Sequence, residues 1–115
     1  MTIPTLLWIY MKIVQDQTLF DEKQEKFATE LVRIIKQTLT EQGLDEQTMY
    51  DLTSELSFNL AALLDGTAVN GAVSDPAIMS LAFREKEHCL ESIVVSPAGS
   101  HLHELSEGLV EEAFD

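Results

Sequence analysis

Between Thr5 and Gln42 the chain has no glycine and no proline. Apolar residues recur at Leu6, Tyr10, Ile13, Phe20, Phe27, Leu31 and Ile34, with Gln17 and Gln24 in the intervening slots of the same register. A helix returns to one face every 3.6 residues, so this spacing predicts helix over many turns. Thr18 followed by Asp21 resembles a capping pair that restarts the chain. The pattern allows one long helix, but this pair favours two, one with Pro4 in its first turn and one from about Leu19 to Gln42.

Gly43 is a natural left-handed terminator, and Asp45 is placed to cap the next helix. In that helix Met49, Leu52, Leu56, Leu60 and Leu63 form an apolar stripe, and Asp51, Ser54 and Glu55 point away from it. The short Gly43-Leu44 link predicts an antiparallel helical hairpin. The pattern changes after Asp65. Asn70-Gly71 between small apolar residues suggests a tight hairpin or ordered loop, and Asp75-Pro76 breaks it. Ile78 to Arg84 reads as a strand with Met79, Leu81 and Phe83 on one face, Glu85 to Glu87 as a charged turn, and Cys89 to Val95 as the returning strand. After the Ser96–Gly99 turn, Ser100 is placed to cap a last helix with Leu102, Leu105, Leu109 and Ala113 inward. Helices and strands are segregated, which predicts an α+β fold. Two or three N-terminal helices, including the antiparallel hairpin, precede a small antiparallel sheet and a C-terminal helix, all in one domain spanning residues 1–115.

Charge narrows the function classes. The 20 carboxylates and 7 cations leave a net charge of −13. Direct nucleic-acid binding needs clustered Lys and Arg, and the cations between Lys12 and Lys36 lie among acids. An acidic mimic of nucleic acid, or an inhibitor of a basic protein, stays open as one reading. The apolar start resembles a leader or anchor. However, no Lys or Arg precedes it, Lys12 interrupts it, and Ile3 to Val14 is too short for the ~20 residues that span a bilayer. The lone Cys89 permits no intramolecular disulfide. A cytoplasmic protein without membrane contact is expected.

Candidate chemistry is confined to residues 100–108, Ser-His-Leu-His-Glu-Leu-Ser-Glu-Gly. His103-Glu104-Leu-Ser-Glu107 resembles the His-Glu-x-x-His zinc-hydrolase motif with its last histidine replaced. His101 and His103 stand roughly 200° apart on a helix, so the pairs that can meet are His101 with Glu104 and His103 with Glu107. A metal-dependent enzyme built on these four residues would also need His88 or Asp65 in the same pocket. The simpler expectation has Ser100 capping the helix and the histidines at its rim, with no catalytic residue, no metal and no cofactor.

The Met and aromatic positions point to contact. Leu6, Trp8, Tyr10 and Met11 crowd a segment that is apolar nearly all round. It is either core, as a helix or a buried strand, or an interface. The leading expectation is a small acidic protein acting through protein–protein contact, as a homodimer that buries Leu6 to Val14.

The charge excess sets a first prediction. Carboxylate repulsion raises the average carboxyl pKa of the folded chain above its unfolded value, so the folded state binds more protons. Melting temperature at low salt should then rise as pH falls from 7 toward 5, and added salt at pH 7 should raise it too. A melting temperature that falls steadily toward pH 5 would show that paired carboxylates or the helix-start histidines govern stability instead.

Overall fold

The computed structural model describes residues 11–66, 80–87 and 90–115. Its elements run β1 (Met11–Val14), α1 (Gln17–Thr40), α2 (Glu46–Leu64), β2 (Phe83–Glu87), β3 (Leu90–Val94) and α3 (Leu102–Ala113). The α+β layout is the one expected, with helices, then strands, then a C-terminal helix. The sheet differs in one respect: it is mixed. Its order is β1-β3-β2, with β2 antiparallel to β3 and β1 parallel to it.

The parallel edge strand comes from the segment read as an N-terminal helix. Asp16 is the reason. Its side chain accepts the Leu19 N–H at 3.1 Å, which starts α1 at Gln17 and separates Ile13 from Phe20. The Thr18–Asp21 pair is not the cap. Upstream of Asp16, the β-branched Ile13 and Val14 pair in register with Ile93 and Val94. Leu6, Trp8 and Tyr10 lie outside the described residues, as do the side chain of Met11, the Asn70-Gly71 turn and Met79.

The charged run Glu85 to Glu87 is strand rather than turn. β2 is an edge strand, and charges on an edge stay in water and discourage further pairing. Arg84 meets Glu91 diagonally across β3, with Nη2 2.5 Å from Oε2, and Lys23 of α1 pairs with Glu85. The sheet packs on the N-terminal half of α1. There the Phe83 ring lies 5.3 Å from Phe20 and 6.4 Å from Phe27, centre to centre.

α1 and α2 form the expected antiparallel hairpin. Gly43 turns it at φ +70°, and Asp45 caps α2 by accepting the Thr48 N–H at 2.9 Å and the Thr48 hydroxyl at 2.8 Å. α3 lies against both helices. α1 buries Phe20, Gln24, Ala28, Val32 and Ile35, and α3 buries Leu102, Ser106 and Val110. Ala28, Ala61 and Leu102 meet at the centre, surrounded by Leu64, Leu81, Leu105 and Leu109.

α2 turns inward a different face from the one its leucines mark. Thr53, Ser57 and Ala61 are buried, one turn apart on a single line, whereas Leu56, Leu60 and Leu63 are 41%, 40% and 50% exposed. Small side chains let three helices approach closely around Ala28 and Leu102, and a leucine at position 57 would hold them apart. No helix among the described residues is long and apolar enough to cross a membrane.

The small-residue face carries a cost. The hydroxyls of Thr53 and Ser57 are fully buried and have no hydrogen-bond partner among the described residues. An unpaired buried hydroxyl costs ~1–3 kcal/mol, and a valine has nearly the same shape as threonine. Thr53→Val should therefore stabilise the fold by ~1 kcal/mol, read as a higher urea midpoint at unchanged slope. A lower midpoint would mean that the hydroxyl is paired in solution.

Candidate functional site

The Ser96–Gly99 turn leads into α3. Gly99 takes φ +79°, a left-handed angle that glycine adopts without strain. Ser100 does not cap the helix. Its N–H donates to Ser80 Oγ at 3.2 Å, and its own Oγ accepts the Leu81 N–H at 3.3 Å. This reciprocal pair ties the turn to the segment before β2. The N-cap position falls to His101, whose side chain makes no capping bond.

Two residues of the hairpin cap α3 instead. Gln24 of α1 accepts the His101 N–H through Oε1 at 2.5 Å, and Asp65, just past α2, accepts the His103 N–H through Oδ2 at 2.9 Å. Both caps are buried: Gln24 is fully inaccessible, and the Asp65 side chain is 1% exposed. Helix-start N–H groups have no partner within their own helix, and a carboxylate there also meets the positive end of the helix dipole.

Asp65 Oδ2 also lies 2.5 Å from His103 Nδ1. A carboxylate only accepts, so Nδ1 carries the proton and Nε2 is left as the second ring nitrogen. Burial pushes the Asp65 carboxyl up. The Ser100 hydroxyl, the His103 N–H, the His103 ring and the Leu102 N–H outweigh burial and hold it below the usual carboxylate value. The Ser100 and Leu102 groups approach without full hydrogen-bond geometry, so Oδ1 has no well-formed partner among the described residues.

Serine, aspartate and histidine thus meet at one point, but in the wrong order for nucleophilic catalysis. A hydrolase triad places histidine between the nucleophile and the acid, whereas here the carboxylate stands between Ser100 and His103. Ser106 Oγ donates to the His103 carbonyl at 3.0 Å, and the Phe58 ring meets the imidazole edge-on at 6.0 Å. The four residues of the metal reading are not drawn together. His101 is held by Gln24, whose Nε2 lies 3.2 and 3.1 Å from the two ring nitrogens, and His103 by Asp65. Glu104 and Glu107 are exposed. No group of three His, Cys, Asp or Glu among the described residues is arranged to hold a metal, and His88 and Cys89 lie outside them.

The contacts of α3 divide the hairpin into two faces. On one, Lys36 Nζ donates to the Ala113 carbonyl and sits 4.5 Å over the Phe114 ring, Tyr50 meets Phe114 at 5.3 Å, and Phe58 and Asp65 meet His103. Residues two apart on a helix point roughly 200° apart. Ile34, Leu56 and Leu63, each two before an α3-contacting residue, therefore lie on the opposite face, and Ile34 is 53% exposed. Leu60 stands one turn from both leucines and continues their stripe.

No protein-family model, curated protein or solved structure matches this chain. Its two candidate sites are therefore read from their own geometry. The His103–Asp65 pair closes one face of the hairpin, and the leucine stripe leaves the other open. Gln24 was the legible signal for the first: it interrupts an apolar register with a long polar side chain, which must find a partner if buried.

If Asp65 is the tertiary cap of α3, Asp65→Asn should cost ~2 kcal/mol, because it removes charge from hydrogen bonds in a buried place. A lowered folded pKa gives stability that is full above the ordinary value of 3.8 and is lost as pH falls through the folded value. The stability gap between wild type and Asp65→Asn should thus hold steady at pH 5 to 7 and close in stronger acid. Chemical denaturation across that range measures it. A gap that is absent at neutral pH would contradict the cap.

Proposed function

We propose that the protein acts through protein–protein contact, and that the open face of the α1–α2 hairpin is the contact surface. One observation carries this reading: Leu56, Leu60 and Leu63 of α2 stand exposed beside Ile34 of α1, while α3 covers the other face. Contiguous exposed leucine and isoleucine cost free energy in water and favour a covered state, at ~25 cal/mol for each Å² of apolar surface removed from water. The interface expected at Leu6, Trp8 and Tyr10 lies outside the described residues, so the contact reading rests on the hairpin alone.

The surroundings of the patch fit this role. α2 carries Glu46, Asp51 and Glu55 and no cation, and these acids keep an otherwise sticky helix soluble until it meets its partner. The His103–Asp65 pair then has a supporting task. It locks α3 onto the far face, so that the hairpin presents one rigid surface.

Site-specific photo-cross-linking tests the proposal. A benzoylphenylalanine at Leu60, introduced in cells that make the protein, should give a covalent adduct on irradiation. The same residue at Glu107, on the exposed side of α3, should give none. No adduct at Leu60 would contradict the reading, provided circular dichroism shows that the substituted protein is folded.

A further inference from the structure

The shape and charge of the open face select the kind of partner that covers it. This inference rests on the contact reading above. Phe27 stands two turns before Ile34 on the same line of α1, and the Phe83 ring of β2 lies 6.4 Å from it. The sheet therefore ends the open face at Phe27. From there to Glu41, two turns beyond Ile34, the face runs about 20 Å. Leu56, Leu60 and Leu63 of α2 stand exposed across from it. The result is a groove between two antiparallel helices. On their other side the same two helices hold α3, so a helix is the shape that fits.

The surroundings of this groove are acidic. From Gln37 to Leu64 the chain carries Glu41, Asp45, Glu46, Asp51 and Glu55, all exposed, and no Lys, Arg or His. Ser57, one residue after Leu56, points into the core, so Glu55, one residue before it, points to the outer edge of the leucine stripe. Glu41 stands at the turn end of the Ile34 line. The α1 edge supplies no net positive charge. Arg33 is held by Glu30 and Gln37, and Lys26 stands among Glu22, Glu25 and Glu30.

We infer that the occupant is an amphipathic helix of another protein, about four turns long, with an apolar stripe between flanks of Lys or Arg. Its stripe covers Ile34 and the leucines. Its cations reach Glu55 on the outer edge and Glu41 at the turn end, with their apolar stems lying along the rim. A partner with an acidic rim would set like charges against each other across the face. A second copy of this chain, with its net charge of −13, is such a partner.

Fluorescence anisotropy of a labelled synthetic peptide with the purified full chain is the test. The peptide has about 14 residues, with leucines at helical spacing and lysines elsewhere. It should bind at micromolar concentration in low salt. The same composition in shuffled order, or glutamate in place of lysine, should bind at least about tenfold more weakly. Leu56→Asn with Leu60→Asn leaves the charge unchanged and should weaken binding about tenfold, and Glu55→Lys about fivefold. Glu107→Lys, on the exposed side of α3, alters the net charge as Glu55→Lys does and should change affinity less than about twofold. These variants alter exposed side chains, and unchanged circular dichroism shows that the fold is kept. Equal affinity for the ordered and shuffled peptides, or equal effects of Glu55→Lys and Glu107→Lys, would reduce the attraction to overall charge and overturn the inference. No binding of the leucine–lysine peptide, or tighter binding of the glutamate peptide, would overturn the basic helix as occupant. If the Leu60 cross-link then still joined another protein, the contact reading would stand without this inference.

Discussion

The capping of α3 by the hairpin is the interaction on which the rest depends. Gln24 and Asp65 come from different helices, and each takes a backbone N–H at the start of α3. Together they fix where α3 begins and which face of the hairpin it covers. The leucines of α2 are exposed because α3 has been committed elsewhere. In isolation neither cap is unusual. Their burial makes them decisive, since water cannot replace a partner that is lost.

This geometry explains why residues that look catalytic serve structure. His103 is oriented by a buried carboxylate, which is how many catalytic histidines are held. However, the serine of the group sits on the far side of the acid, and its hydroxyl already accepts from Leu81. The hydrogen bonds converge on Asp65 rather than on a substrate position. They hold three chain segments together: the end of α2, the turn before α3 and the segment before β2.

Much of the fold was legible in the sequence. The hairpin, its Gly43 turn, the Asp45 cap and the C-terminal helix follow from local rules, since periodicity, a capping side chain and a left-handed glycine act within a few residues. The misreadings share one cause. Ile13 has the period of α1 but belongs to β1, because Asp16 starts the helix between Ile13 and Phe20. Leu56, Leu60 and Leu63 have the period of a core face. Their helix nevertheless turns Thr53, Ser57 and Ala61 inward, since close packing of three helices favours small side chains over apolar ones. Ser100 has the position of a cap, yet its hydroxyl serves Leu81 and the capping passes to Asp65, 38 residues before His103. The pairing of Ile13 with Ile93 and the other two outcomes depend on partners remote in the chain, which periodicity does not encode, although the Asp16 cap that divides the segment is itself local.

The two faces of the hairpin follow from one arrangement. The polar latch closes one side and leaves the leucines of α2 exposed on the other. Amide hydrogen exchange read by NMR tests this most directly, because it reports the His101 and His103 N–H groups that Gln24 and Asp65 cap. Both amides should be strongly protected in the native protein, and Asp65→Ala should release that of His103. Amides that exchange freely in the native protein, or protection at His103 that survives Asp65→Ala, would contradict the capping.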